Sequence, residues 1–446
     1  MRFRASELAE ALTVRSLSAD TARLVGPDVW IEGAHFDSRE IRPGQLFVPI
    51  VAERDGHDFV ADALARGASA YLTSRVDVVE REGGSAILVR DTAEALIDTA
   101  GWVRTLFPAS LVVVGVTGSV GKTTTKDLIA AALAPSRRVV ANARSFNNEQ
   151  GLPVTMINAP VDTQVLVLEM GMRGFGQIAD LCRIARPNVG VVTRVGLAHT
   201  ELVGGIEGVA RAKGELVDAL PPQGSAVLNA DDPRVRAMAA RSSAPVVTYG
   251  EDPDADVRIT NLVLDGRGCA TFDLTHREQT AVVALTTPGR HTASNAAAAV
   301  AVGVSIGVPL ADMARALSVA AVSPHRMHLV RTRSGATLID DSYNANPTSM
   351  RAAIETLASV EARRRVAILG VMAEIEHPAS AHVEIADLAR SLGIELVAVD
   401  TALYGIAPVS LDDAVAAALR EGEGSALLVK GSRVAGLDRL VDAIGG

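Results

Sequence analysis

The chain has 446 residues, 48% of them hydrophobic and 21% charged, with a formal net charge of -9. That balance is soluble and globular, too long for one ordinary core and suited to two or three domains. The acidic excess argues against a nucleic-acid surface, and an aromatic content of 3% against stacking platforms for bases or sugars.

Residues 1–105 read as a small α/β unit. A first helix is expected over ELAEAL, with Ser6 placed to cap it. In FDSREIRPGQLFVPI, Pro43-Gly44 marks a turn between two extended segments. GHDFVADALARGASAYLTS reads as a helix ended by Gly67 and followed by a strand. Asp37-Ser38-Arg39 and His57-Asp58 lie beside these turns, where such residues are more often caps than ligands. The opening MRFRASELAEALTV has no apolar leader core, and no stretch approaches the ~18 apolar residues of a membrane span. Cys182 and Cys269 have no metal-type spacing and read as reduced core thiols. A cytoplasmic chain is expected.

Residues 106–322 hold the strongest local signal, LVVVGVTGSVGKTTT. Leu111–Val114 is the β-branched run of a buried strand; glycines follow, then Lys122, three threonines and the helical TKDLIAAAL. Strand, glycine loop and helix in that order form a phosphate cradle, where loop N–H groups and the helix dipole face an anion. Gly118, Ser119, Val120, Gly121 and Thr124 belong to that cradle; Lys122 supplies a cation to the phosphates, and the Thr123 hydroxyl suits Mg²⁺. The strict G-x-x-x-x-G-K-[ST] form is not met, because Val116 stands where its first glycine belongs. The bland alternative is a glycine-rich turn with a surface lysine; the flanking strand and helix favour a nucleoside triphosphate.

Strands and helices then alternate through TQVLVLEMGM, IADLCRIA, NVGVVTRVG, IEGVARAKGELVDAL, SAVLNADDPRVRAMAA and PVVTYG, implying a mostly parallel sheet covered on both faces. Ligands of such sheets sit beyond the carboxyl ends of the strands, so polar residues there carry weight. Glu169 ends VLVLEMG, where it suits Mg²⁺ or, more blandly, a turn. His199 also follows a strand, although a lone histidine is usually structural. Lys213 lies on an expected helix, where most lysines are solvated. Asn229-Ala230-Asp231-Asp232-Pro233 is at least a turn. Residues 256–286 read as short antiparallel strands around Gly266 and Gly268, and a helix over 293–304 closes the segment. From 323 the α/β pattern restarts, after Pro324 and the basic pair His325-Arg326, through GATLIDDSYNANP, RRRVAILGVM, SAHVEIADLARSLG, GIELVAV and SALLVKGSR.

Taken in order, FDSREIRPGQLFVPI, TGSVGKTTTK, SFNNEQGLP, LEMGMRGFGQIADL, GLAHTELVGGIEGVARAKGEL, LNADDP, GRHTASNAAAA, DDSYNANPTSM and LVKGSR resemble the Mur ligases over nearly the whole chain. The resemblance implies an α/β protein of three domains, with a central P-loop-type, mostly parallel sheet. A small N-terminal α/β domain over 1–105 would bind the UDP substrate, the centre over 106–322 ATP, and a Rossmann-like C-terminal domain over 323–446 the incoming amine. Within the family it is closest to the branch that adds D-alanyl-D-alanine to UDP-N-acetylmuramoyl-tripeptide, acting as a monomer. Carried over position by position, Lys122 meets the phosphates, Thr123 and Glu169 the first Mg²⁺, and His199 the second. Lys213 corresponds to a lysine many members carry as a carbamate. Asn295 corresponds to an adenine contact, and Arg326 and Asp341 to residues that reach the nucleotide, with Asn344 and Asn346 beside them. Ser38 and Arg39 fall where the first domain faces the uridine nucleotide. A group must also meet the dipeptide carboxylate, and Lys430 or Arg433 past ALLVK is suited to it, against ordinary surface charge.

Three departures stand out: Thr292 where the family usually has asparagine, Val371 where an acid usually follows RVAILG, and the altered stretch MAEIEHPASAHVE. The last two bear on the amine. Rival readings are a relative adding another amine, a non-ligating nucleotide-binding partner subunit, and a switch GTPase. The chain lacks a guanine-reading N-K-x-D motif and the four cysteines of a zinc insertion.

Overall fold

A computed structural model of the chain describes residues 1–15, 22–143, 146–197 and 200–445. They fall into two compact units, Met1–Gly115 with Arg138–Gly171 and Gln177–Asn188, and Val116–Arg137 with Met172–Gly176 and Val189–Gly446. Among the described residues no helix is long and apolar enough to cross a membrane.

The first unit opens with Arg2–Arg4 paired antiparallel to Trp30–Glu32, which buries Phe3 opposite Ile31. The first helix, Ala5–Arg15, starts before Ser6. Ser6 is therefore in its first turn, and the capping acceptor is Asp28, which takes both the Ser6 N–H and its hydroxyl at 3.0 Å. A sheet follows in the order Arg23–Val25, Ala86–Leu88, Ala70–Thr73, Leu46–Phe47, Ala34–His35, parallel except for its first pair. The GHDF stretch is a 3-10 turn, Gly56–Phe59, leading into the helix Val60–Ala65. Here a polar turn held by Asp55 delays the helix that the periodicity placed earlier.

The same unit contains the parallel strands Val139–Ala141 and Val165–Glu169, the second buried along its whole length, as a sheet covered on both faces requires. The helix Gly151–Asn158 fastens the N-terminal sheet to them. The Asn158 carboxamide accepts from the Ala34 N–H at 3.1 Å and from Gln45 Nε2 at 2.9 Å, and donates to the Ala34 carbonyl at 2.8 Å. A Cβ at Gly33 would lie 2.1 Å from its oxygen, so only glycine admits this contact.

In the second unit Val189–Val192, Ser225–Asn229 and Val246–Gly250 run parallel in that order. Val257–Leu264 joins them in parallel and then turns back through Cys269–His276 and Gln279–Pro288. The antiparallel region expected around Gly266 and Gly268 is thus present, with longer strands than the pattern suggested. The helix His291–Ser305 is alanine-rich and buried on nearly every side, which only small side chains permit.

The chain after 323 forms a sheet in the order His328–Arg331, Thr337–Asp340, Ser425–Lys430, Arg364–Leu369, Glu395–Ala398. Its first pair is antiparallel and the rest parallel. Apolar clusters cover it on both sides, one with Met350, Ile354 and Leu357, the other with Leu437, Leu440 and Ile444. Asp341, Gly370 and Gly431 follow the carboxyl ends of three neighbouring parallel strands, where this sheet class places its ligands.

Candidate functional site: a phosphate loop and the polar ends of two sheets

The strand Val112–Thr117 delivers the chain to Gly118 at φ +152, and Gly121 at φ +83 stands at the start of the helix Lys122–Leu133. Both glycines are required by what surrounds them. A Cβ at Gly118 would lie 1.9 Å from Thr193 Oγ1, and one at Gly121 2.7 Å from Asn295 Oδ1. Thr193, which sequence reasoning passed over, donates its hydroxyl to the Val120 carbonyl at 2.6 Å. Its only signal was its place after the strand Val189–Val192. Ser119 is held three times: its N–H donates to the Arg194 carbonyl at 2.7 Å, and its hydroxyl donates to the Gly196 carbonyl at 3.0 Å and accepts from the Gly196 N–H at 2.9 Å.

The turn after Ser225–Asn229 braces this support in its own right. Asn229 Nδ2 donates to the Thr193 carbonyl at 2.8 Å, and Asp232 Oδ2 accepts from the Val195 N–H at 2.9 Å. The polar turn therefore acts on the phosphate loop through the segment 193–196. Lys122 Nζ lies across the loop, 2.8 Å from the Gly118 carbonyl. Thr123 is buried and Thr124 half-buried in the first helical turn. Asn295 lies against the start of that helix, its Oδ1 accepting from the Thr125 hydroxyl at 3.3 Å. Thr292, in place of asparagine, donates to the Gly289 carbonyl at 2.6 Å and so ties the first turn of its helix to the preceding turn.

Lys213 ends the helix Gly205–Lys213 and is buried, not solvated. Burial pushes its pKa well down, and the neighbouring Lys122 ammonium adds to the shift. Glu169 is buried in the first unit, where its carboxylate accepts from Asn147 Nδ2 at 2.8 Å and its N–H donates to Asn142 Oδ1 at 2.8 Å. His199 lies outside the described residues.

Around the C-terminal sheet, Lys430 is buried and its Nζ donates to Asp341 Oδ2 and, at 2.8 Å, to the Asn344 carbonyl. Asp341 Oδ1 accepts from the Met327 N–H at 3.3 Å. Lys430, Asp341 and Asn344 thus form one network, in which the lysine holds the turn and does not extend into solvent. Asn346 caps the helix Pro347–Ser359, accepting from the Ser349 N–H at 2.9 Å, with Ser349 returning the bond in a capping box. Arg326 stacks on the Tyr343 ring, 4.2 Å from its centroid, and the exposed Arg433 lies 5.9 Å from the same centroid while pairing with Asp438 at 2.9 Å. Tyr343 is a second residue that sequence reasoning did not single out.

In the first unit Ser38 is buried, and the exposed Arg39 folds back onto Asp37, with Nε to Oδ1 at 2.9 Å. That guanidinium draws the Asp37 pKa down to about 2.

The chain matches the family model described as Mur ligase middle domain over residues 116–303, and the one described as Mur ligase, glutamate ligase domain over 325–433. It is 39% identical to the UDP-N-acetylmuramoyl-tripeptide–D-alanyl-D-alanine ligase of Mycobacterium tuberculosis, across 92% of this chain and 91% of that protein. With the enzyme of the same name from Escherichia coli it shares 34% identity, across 94% and 95%. Among solved structures, MurF from Acinetobacter baumannii superposes with a TM-score of 0.87 at 28% identity, covering 99% of this chain and 98% of that one. MurF ligase from Thermotoga maritima, in complex with ADP, superposes with a TM-score of 0.80 at 28% identity, covering 92% and 96%.

Proposed function

The chain belongs to the Mur ligase family, and from that membership we propose that it joins D-alanyl-D-alanine to UDP-N-acetylmuramoyl-tripeptide with the conversion of ATP to ADP and phosphate. The observation that carries this reading is identity with relatives of that name across nine-tenths of the chain, with a built phosphate loop at its centre.

Condensing a carboxylate with an amine is unfavourable in water, so the carboxylate must first acquire a leaving group. The γ-phosphoryl of ATP passes to the terminal carboxylate of the tripeptide, giving an acyl phosphate and ADP. The dipeptide amine then attacks the acyl carbon, the C–O bond to phosphate breaks, and the amine proton is lost. The protein's work is positioning and charge compensation. Gly118, Ser119, Val120, Gly121, Lys122, Thr123 and Thr124 cradle the phosphates. Asn295 is assigned to the adenine side, and Arg326 and Asp341 to the nucleotide from the C-terminal domain.

Thr123, Glu169 and His199 are the residues we assign to Mg²⁺; hydroxyl, carboxylate and imidazole all suit the ion, which when bound neutralises phosphate charge. The buried, pKa-depressed Lys213 supports a carbamate there: its neutral amine adds to CO₂ and releases a proton, leaving an anion beside Lys122. Ser38 and Arg39 are assigned to the uridine nucleotide. Asn344 and Asn346 shape the acceptor side through the turn and cap they build. For the dipeptide carboxylate the exposed Arg433 is the better-placed cation, with Lys430 acting through the Asp341–Asn344 turn. Domains over 1–105, 106–322 and 323–446, a monomeric unit and a cytoplasmic setting complete the reading.

Val371 and the changed loop after it favour one second reading, a relative that adds a different amine. Incubation with ATP, UDP-N-acetylmuramoyl-tripeptide and a panel of amines, with products identified by mass, decides between them. D-alanyl-D-alanine inert beside another amine that is ligated would assign the chain to that second reading.

A further inference from the structure

We propose that Tyr343 is a positioning residue for two of the three substrates, its ring acting as a shared platform for the guanidinium that serves the nucleotide and the one that serves the acceptor. This rests on the ligase reading for the roles of Arg326 and Arg433; the juxtaposition itself does not. Arg326 Cζ stands 4.2 Å from the ring centroid and Arg433 Cζ 5.9 Å, both within the reach of a cation–π attraction.

The backbone beneath the ring is tied down at every step. The Asp341 N–H donates to the Val429 carbonyl at 3.0 Å, the Ser342 N–H to Asp340 Oδ1 at 3.1 Å, and the Tyr343 N–H to the His325 carbonyl at 3.3 Å. Lys430 Nζ holds the next carbonyl, that of Asn344. The ring is thereby a fixed object on which two long, flexible side chains come to rest.

The chain also accepts strain to bring Arg326 there. His325 at φ +61 and Met327 at φ +53, on either side of it, are both left-handed without being glycine. Two guanidiniums repel one another, and a π-face that attracts both offsets the repulsion.

The test uses the intact chain with Tyr343→Phe, which keeps the face, and two variants without a ring, Tyr343→Leu and Tyr343→Gln, so that one folding failure leaves the other. In either ring-free variant the KM for ATP should rise about tenfold, the size of a partly desolvated cation–π contact at the half-buried Arg326, and that for D-alanyl-D-alanine about threefold, the size of an exposed one at Arg433. Tyr343→Phe should stay within about twofold of wild type, and the KM for UDP-tripeptide and the melting temperature should hold. A merely structural role would move all of these together. ADP titration, which needs no acceptor, should show the same tenfold weakening in the ring-free variants. Unchanged KM values and ADP affinity without the ring, or Tyr343→Phe as damaging as Tyr343→Leu, would overturn the platform. A wild-type protein that ligates no amine would sink the ligase reading instead, while the ADP titration still decides whether the ring positions Arg326.

Discussion

Gly121 cannot be replaced without cost, because its φ of +83 and the Asn295 oxygen waiting 2.7 Å from a Cβ oppose any side chain. Lys122 beside it is the opposite case. It is half-buried with its ammonium across the loop, so Lys122→Ala should lower ATP turnover by at least about 10²-fold, the order seen when one preorganised charge donor is removed. The melting temperature should stay unchanged, and near wild-type turnover would remove the loop from phosphate binding. Lys213 adds a chemical test. If its depressed pKa serves carbamate formation, Lys213→Ala should lose most activity, and short carboxylates added to the assay should return part of it by restoring the anion. An active native enzyme that shows no carbamate carbon signal by NMR under ¹³C-labelled CO₂, or no recovery with carboxylates, would leave only a buried amine.

Beside the C-terminal sheet, side-chain hydrogen bonds tie down the start of one helix and the loop after Leu369. Asn346 closes a capping box on Pro347–Ser359, so Asn346→Ala should cost about 1 kcal/mol in denaturant unfolding; a loss of activity beyond that would assign it a contact with substrate. His382, fully buried on the helix Pro378–Ser391, accepts the Met372 N–H at Nε2 over 2.8 Å, while Nδ1 lies 2.5 Å from the Pro378 carbonyl. Both ring nitrogens are therefore committed to the neutral form, and burial lowers the pKa. The sign follows: the unfolded chain takes the proton first, so the stability is whole above about pH 6.5 and is lost as pH falls below it. His382→Gln removes that titration. Its melting temperature should fall less than the wild type's between about pH 7 and about pH 5.5, and equal slopes would refute the brace. The sequence named the loop that His382 holds, but not His382, since nothing in its one-dimensional pattern links position 382 to the N–H of Met372.

At the scale of the molecule, what could be read in advance was whatever local chemistry dictates. The strand, glycine loop and helix around Lys122 were legible because β-branched residues, glycines and helix formers stand in an order that has one geometry. So were the antiparallel strands around Gly268 and the restart after 323, from changes of period. Three-dimensional convergence was not legible. Thr193 supporting Val120, the burial of Lys213 and Lys430, and the ring of Tyr343 under two arginines all join positions far apart in the chain. The substrate assignment is read from the family and is tested by the whole enzyme. Phosphate release should require both UDP-N-acetylmuramoyl-tripeptide and D-alanyl-D-alanine, and single D-alanine should be a poor substitute. A site shaped for a dipeptide uses the distal residue and its carboxylate to fix the attacking amine, so truncation lowers kcat as well as raising KM. Arg433→Ala should accordingly raise the KM for the dipeptide well above its effect on ATP, and should narrow the preference for dipeptide over D-alanine, because the charge that recognises the distal carboxylate is gone. If Arg433→Ala leaves that preference intact while the wild type still ligates the dipeptide, another cation meets the carboxylate, and the contact between Arg433 and Asp438 is ordinary surface pairing.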